Sequence, residues 1–294
     1  MPELPEVETI RRGLKKYIVG KRIADIEIRL AKIFQGNSQD IIGAEFVDIR
    51  RYGKGLVMDL DNGYSLTAHV KMTGQFVYKE TEGAKETKEA KAKNFHPKLG
   101  LPLELPDKHT HVIFYFRPTT SDLRPILYYN DIRKFGWLKV VQAKAVHELP
   151  FFKNLGPEPF ADLTLPLFEK ILQASSMPVK PLLMDQKKIS GVGNIYANDA
   201  LFLAKIDPRR PAKRLHETEV HTLYQAVLEV LQKGIEYGGA SETNYITVEG
   251  GKGSYQDHFL VYGKTGKICP RDGTMIQRIV QGGRSTFYCS ACQT

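Results

Sequence analysis

Cysteine is scarce in this chain: three in 294 residues, all of them beyond residue 268. So few thiols, so late, make no disulfide framework, and a reducing cytoplasm is the expected compartment. Also missing is any run of about 18 apolar residues, the length a membrane-spanning helix needs, so no membrane partner is expected. The N-terminus is acidic and amphipathic and lacks the charged-then-apolar pattern of a leader peptide. What the chain has in excess is positive charge. Forty-two Lys and Arg stand against 33 Asp and Glu, a net charge of +9 with a pI near 9.2. That balance suits a polyanionic partner, although many ordinary soluble proteins share it. The length allows about two domains with real cores.

Along the chain, Val7, Ile10, Leu14, Tyr17 and Ile18 recur at helical spacing before Gly20, which predicts a helix over residues 5–18. Short alternating segments then predict strands at 23–30, 56–60, 66–70, 112–116, 126–129 and 137–141. They are separated by turns such as Asp61-Asn62-Gly63, the pattern of an antiparallel β-sandwich or barrel packed on that helix. Residues 79–106 alternate lysine and glutamate with little apolar content and predict a mobile surface insertion. The run Leu155-Gly-Pro-Glu-Pro159 reads as a rigid linker, and the period beyond it is helical. Helices are expected at 165–172, from 181, from 194 to 204, and over 218–237, with Gly191-Val-Gly193 interrupting the second. The Gly-, Ser-, Thr- and Asn-rich stretch to Gly253 predicts a flexible loop.

Three places could carry chemistry. The chain opens Met1-Pro-Glu-Leu-Pro-Glu6. Proline is the kind of second residue that permits removal of Met1, and removal leaves a secondary amine. An α-amino group titrates near pH 8, so roughly a tenth of it is an unprotonated nucleophile at pH 7. Condensed with a sugar aldehyde, such an amine gives an iminium with no N–H to lose, an electron sink for elimination, and Glu3 is placed to move the protons. The same residues are also an ordinary helix start, with proline and acids in the first turn. Asn194 enters a helix from a glycine-flanked loop, where its amide and nearby N–H groups can hold a phosphate or simply cap the helix. At the C-terminus, Cys269-Pro-Arg-Asp272 and Cys289-Ser-Ala-Cys292 have zinc-ribbon spacing with a carboxylate in one ligand position. A site of three thiolates and one carboxylate can hold zinc, more labile than four cysteines would. The alternative is a hairpin that has lost its metal and persists by packing.

Several motifs in order resemble the formamidopyrimidine-DNA glycosylase family, bacterial repair enzymes that excise 8-oxoguanine and ring-opened purines. They are Pro2-Glu-Leu-Pro-Glu-Val-Glu-Thr9, Arg50-Arg-Tyr-Gly-Lys54, Lys108-His-Thr-His111, Asp131-Ile-Arg-Lys-Phe-Gly136, Leu155-Gly-Pro-Glu-Pro159, Gly191-Val-Gly-Asn-Ile-Tyr196, Val261-Tyr-Gly-Lys264 and Gly283-Arg-Ser-Thr-Phe-Tyr-Cys289. The resemblance implies an α+β multidomain fold. An N-terminal helix and β-sandwich (residues 1–142) would lead through a linker (143–160) to a helix–two-turn–helix domain (161–260) carrying a lesion loop (238–254), and then to a zinc finger (261–294). DNA would lie in the cleft between domains.

By the same resemblance Pro2 is the Schiff-base nucleophile, Glu3 its proton donor and acceptor, Lys54 the lysine assisting β-elimination, and Arg284 the finger arginine of δ-elimination and phosphate clamping. His109, Arg133 and Asn194 match DNA-contacting positions. Met72, Arg133 and Phe135 match the wedge that fills the space of an extruded base. Zinc would sit on Cys269, Asp272, Cys289 and Cys292. The chain departs from the family at Asp272, at Ser175-Ser176 and at Thr243, which leaves zinc affinity and lesion preference open. The expected partner is damaged double-stranded DNA, the expected state a monomer, and the expected activity glycosylase with β,δ-lyase. Two alternatives stand beside it: an endonuclease VIII-like enzyme for oxidised pyrimidines, against which Leu4 argues, and a non-catalytic zinc-finger DNA-binding protein.

Overall fold

The computed structural model describes residues 1–82, 104–118, 123–242 and 244–294, and these divide into two compact units. The first comprises Met1–Lys153 together with Tyr237–Ser254. Its opening helix α1 (Leu4–Ile18) keeps an apolar stripe of Leu4, Val7, Ile10, Leu14 and Ile18, none of them more than 1% exposed. Removing such a side chain, as in Leu14→Ala, costs about 2–5 kcal/mol because a cavity remains in a tight core.

Nine strands follow: β1 (Ile23–Ile28), β2 (Phe34–Gln35), β3 (Phe46–Tyr52), β4 (Gly55–Leu60), β5 (Tyr64–His69), β6 (Gly74–Glu82), β7 (Thr110–Phe116), β8 (Leu123–Asp131) and β9 (Trp137–Gln142). They form one sheet of order β1-β7-β8-β6 and another of order β2-β9-β5-β4-β3. All pairings are antiparallel except β2 with β9. Val7, Ile10, Leu14 and Ile18 of the stripe join Phe46, Met58 and Leu66 of one sheet and Phe76, Phe114 and Leu127 of the other in a single core. The expected sandwich is present.

Three strands went unread in the sequence. β3 hides behind Asp48, Arg50 and Arg51, whose charges find partners rather than water. β2 is two residues long. β6 continues through Lys79 to Glu82, so the start of the expected insertion is sheet, with Lys79 buried. Most of the rest of 79–106 lies outside the described residues, as does Thr243.

The segment Tyr237–Ser254, expected from sequence to belong with the helical domain, packs instead with the first unit. Val248 sits on Gly13 of α1, where an added Cβ would come within 2.9 Å of Val248. Its carbonyl accepts from the Tyr78 N–H at 2.9 Å, and Ile246 packs on Val77, Ile113 and Tyr128. The apolar residues Tyr245, Ile246 and Val248 are what hold this glycine-rich stretch down.

The second unit comprises Asn154–Glu236 and Tyr255–Thr294. After a one-turn helix α2 (Pro150–Lys153) closes the first unit, the second builds α3 (Leu165–Gln173), α4 (Val179–Met184), α5 (Asn194–Leu203), α6 (Glu217–Glu236) and the hairpin β10 (Gln277–Gln281) with β11 (Arg284–Tyr288). The stretch read as a linker is docked: Gly156 donates to the Gln186 carbonyl and Ser190 to that of Pro157. Gly234 lets α6 approach α5, since a Cβ there would lie 2.5 Å from the Tyr196 ring. Buried Asp199 accepts backbone N–H bonds from Leu260, Val261 and Tyr262, fastening α5 to the segment that leads into the hairpin. Among the described residues no helix is long and apolar enough to cross a membrane.

Candidate active site and zinc centre

Pro2 and Glu3 are buried at the start of α1, while Met1 is exposed. Glu3 is the N-cap, in a reciprocal capping box with Glu6, and its N–H donates to Glu6 Oε2 at 2.7 Å. The other Glu6 oxygen accepts from the Ala240 N–H at 2.8 Å. One buried carboxylate therefore fixes both the residue after Pro2 and the first turn of the 237–254 segment. Glycine at 239 is required there: its φ is +82° and a Cβ would fall 2.8 Å from Glu6 Cγ. A turn further on, Glu8 is held by Arg11, Arg12 and Arg51. Burial alone would raise its pKa, but these guanidinium bonds outweigh burial and bring it down to about 2.

Lys54 lies buried in the tight turn between β3 and β4, which Gly53 enters with φ +57°. Near it sits His69, whose Nδ1 accepts from the Lys71 N–H and whose ring packs on Trp137 and Phe151. Burial, and then the charges of Lys71 and Lys54, push this imidazole down to about 3, so it is neutral at physiological pH.

The three expected wedge residues are brought together. Met72 is 41% exposed and Phe135 57%, unusual for large apolar side chains. Between them the Arg133 guanidinium lies 2.7 Å from Met72 Sδ and 5.0 Å from the centre of the Phe135 ring. Two adjacent turns carry this triad, and buried Asp131 organises both. Its carboxylate accepts from the Thr73 hydroxyl, from the Arg133 N–H at 3.1 Å and from the Gly136 N–H at 2.7 Å; Thr73 Oγ1 in turn accepts from the Arg133 N–H at 2.9 Å. Lys71 and Lys134, beside Met72 and Arg133, both adopt left-handed backbone with φ of 50° and 58°. Such strain persists where neighbours over-determine a turn. His109 belongs to the same end of the sheet, its carbonyl accepting from the Asp131 N–H at 2.9 Å.

In the second unit Asn194 is the first residue of α5, with Gly193 at the cap position, and its Oδ1 accepts from Lys180 Nζ at 2.7 Å. Arg284 begins β11 on the far side of a turn made by Gly282 and Gly283, both at positive φ; it is exposed, with its guanidinium 3.4 Å from the Gly283 carbonyl.

The four ligand atoms of Cys269, Asp272, Cys289 and Cys292 lie within 4.8 Å of one another. Cys269 Sγ is 3.9 Å from Cys292 Sγ, and Cys289 Sγ is 3.1 Å from Asp272 Oδ2. Zn–S bonds of about 2.3 Å in a tetrahedron place sulfurs roughly 3.8 Å apart, so the set fits one zinc ion. The carboxylate already carries the charge a cation needs, whereas the thiol must give up its proton to one. The Thr274 N–H, then the Cys289 thiol, hold the Asp272 carboxyl down at about 2. Burial, then its thiol neighbours, push Cys292 up to about 12, protons that a divalent ion displaces. Arg271 anchors the finger on α5, stacking 4.2 Å from the Phe202 ring centre and donating to the Phe202 and Leu203 carbonyls.

The helix-started β-sandwich, the helical unit and the cysteine finger are the three parts that the models of one class of DNA glycosylase match. Residues 1–138 match the formamidopyrimidine-DNA glycosylase N-terminal domain, residues 155–245 the H2TH domain of the same enzyme, and residues 266–294 a zinc finger found in FPG and IleRS. Formamidopyrimidine-DNA glycosylase of Carboxydothermus hydrogenoformans is 39% identical over 300 residues, covering all of both chains. That of Streptococcus mutans is 38% identical over 299 residues, covering all of this chain and 99% of the relative. Among solved structures, Lactococcus lactis Fpg with abasic-site DNA superposes with a TM-score of 0.81 at 35% identity, covering 99% of each chain. MutM with DNA containing carbocyclic 8-oxo-G gives 0.81 at 36%, over the whole of both chains. The chain belongs to the formamidopyrimidine-DNA glycosylase family.

Reading the sequence alone missed Glu6, Thr73, His69, Asp131 and Lys180. Two were signposted: Glu6 stands three residues after Glu3, the spacing of a capping box, and Asp131 opens the motif that contains Arg133 and Phe135.

Proposed function

We infer that this protein is a base-excision-repair DNA glycosylase for oxidised purines, and that it also cleaves the strand at the site it empties. The observation that carries the reading is the Glu6 carboxylate, which pins Glu3, and with it the residue just before, at the N-terminus of α1. With Met1 removed, the Pro2 nitrogen attacks C1′ of the damaged nucleotide as the base departs with the electrons of the glycosidic bond. Opening of the sugar leaves an iminium at Pro2. Glu3 exchanges the protons these steps need. Loss of the 2′ proton expels the 3′ phosphate, with Lys54 assisting. A further elimination expels the 5′ phosphate, with Arg284 clamping it.

Extruding the base costs a few kcal/mol, and the exposed Met72–Arg133–Phe135 triad is shaped to fill the gap. His109 and Asn194 would contact the DNA backbone, and zinc on Cys269, Asp272, Cys289 and Cys292 would hold the finger that presents Arg284. The free thiols suit a reducing cytoplasm, the compartment we propose.

Strand incision of duplexes carrying either 8-oxoguanine or an oxidised pyrimidine opposite cytosine and adenine respectively tests the substrate class. Faster turnover of the purine lesion is expected. Preference for the pyrimidine would transfer the protein to the endonuclease VIII-like branch.

A further inference from the structure

Lys180 of α4 is wholly buried, a rare state for lysine, and its ammonium meets three acceptors. Nζ lies 2.7 Å from Asn194 Oδ1, 2.7 Å from Thr286 Oγ1 and 3.1 Å from the Ser285 carbonyl. Three N–H donors thus find three oxygens, the condition under which a buried cation is tolerated. An apolar residue would fill the same space without that demand, so stability alone does not account for a charge here. Its partners do. Asn194 opens α5, and Ser285 and Thr286 follow Arg284 on β11; the Thr286 hydroxyl, taking a bond from Lys180, lies 3.4 Å from the Arg284 carbonyl and can donate to it. Asn198 makes a parallel link, donating to the Asn194 carbonyl at 2.6 Å and accepting from the Phe287 N–H at 2.8 Å.

We propose that Lys180 is a positioning residue that sets two DNA-backbone contacts at once, aiming the Asn194 amide and fixing the strand that carries Arg284. By taking the Asn194 oxygen, the ammonium turns that side chain's NH2 group away from itself, leaving its donors for a phosphate. By gripping Ser285 and Thr286 it holds Arg284 at a fixed register to α5. The inference rests on the reading of Asn194 and Arg284 as backbone contacts.

The test is a double-mutant cycle on the zinc-loaded full chain. Affinity is read by anisotropy with a duplex bearing a tetrahydrofuran abasic analogue, which cannot be processed. Asn194→Ala is expected to weaken binding about tenfold, Lys180→Met at least as much because it also releases the strand of Arg284, and the double variant no more than Lys180→Met alone. Thr286→Val, a milder change of similar shape, keeps the cycle open should the methionine variant misfold; it is expected to couple to Arg284→Ala in the same way. In turnover, base excision by Lys180→Met shows a raised KM for lesion duplex with kcat within about twofold, a split that general unfolding would not give. Multiplicative losses in both cycles would overturn the coupling. If Asn194→Ala and Arg284→Ala each bind as tightly as the parent, the contacts themselves are wrong, and the proposal falls while the glycosylase assignment stands.

Discussion

Asp131→Asn is the substitution that bears most sharply on the wedge. In the native turn one carboxylate oxygen accepts from Thr73 and the Arg133 N–H, and the other accepts from the Gly136 N–H. Asparagine has the same shape but only one acceptor. If its oxygen faces Thr73, its NH2 confronts the Gly136 N–H; flipped, it confronts the Arg133 N–H. In the first pose the buried Gly136 N–H loses its acceptor, at about 1–3 kcal/mol. In the second the Arg133 N–H keeps Thr73 Oγ1, but the buried Thr73 hydroxyl loses its own acceptor at a similar cost. In both the surviving bonds lose their charge assistance, roughly another 1 kcal/mol. The expected total is about 2–4 kcal/mol. Gly136 offers no relief, because Tyr129 Oη already lies 1.9 Å from where a Cβ would stand, and the turn cannot swell without leaving its pocket.

Since each 1.4 kcal/mol is a factor of ten, the presented wedge should become at least tenfold rarer. The assay pairs thermal unfolding with single-turnover excision, comparing 8-oxoguanine in duplex with a preformed abasic site, whose nucleotide has no base to unstack. A lower Tm together with at least a tenfold loss on 8-oxoguanine, and a smaller loss on the abasic site, is expected. Equal losses on the two substrates would refute the link between this turn and base extrusion; unchanged stability would refute the network itself.

The folded-state pKa of Glu8, lowered from 4.5 to about 2, contributes about 3 kcal/mol that is fully present above pH 4.5 and lost as pH falls toward 2. Acid unfolding of Glu8→Gln should show a smaller loss across that window, with a lower starting stability because three guanidinium groups lose their acceptor. His69, lowered from 6.5 to about 3, acts the same way on pH though it is a base. Between those values the unfolded chain holds the extra proton, so stability falls by about 1.4 kcal/mol for each unit of acidification. His69→Asn, which keeps an acceptor for the Lys71 N–H, should flatten that slope in urea titrations between pH 6 and 4. At the finger, Asp272→Cys should slow zinc release to a chelator at least tenfold and Asp272→Ala hasten it, as followed with a metallochromic dye; equal rates for all three would remove the carboxylate from the ligand set.

What could be read from residues alone follows from how locally the physics acts. Helix α1 was legible because its stripe obeys one period over fifteen residues, and the finger because metal spacing is carried by short loops. The Met72–Arg133–Phe135 triad was picked out as a set of family positions, but Asp131, which organises its turns, was not, since a buried acceptor for turns distant in sequence leaves no periodic trace. β3 was missed for a related reason: its Arg50 and Arg51 are paired with Asp59 of β4 and Glu8 of α1, partners that only the fold supplies. The 237–254 segment looked like a mobile loop by composition. Three apolar side chains and the Glu6 carboxylate hold it to the first unit, contacts that span more than about 110 residues of chain. Lys180 is the extreme case, because in sequence it is one lysine among many.

The decisive measurement is borohydride reduction of the protein while it works on an 8-oxoguanine duplex, followed by mass mapping of the cross-linked peptide. The account predicts that the DNA remnant is found on the nitrogen of an N-terminal peptide beginning at Pro2, and that protein still carrying Met1 gives no adduct. An adduct on an internal lysine, or equal trapping by the methionine-capped form, would contradict it.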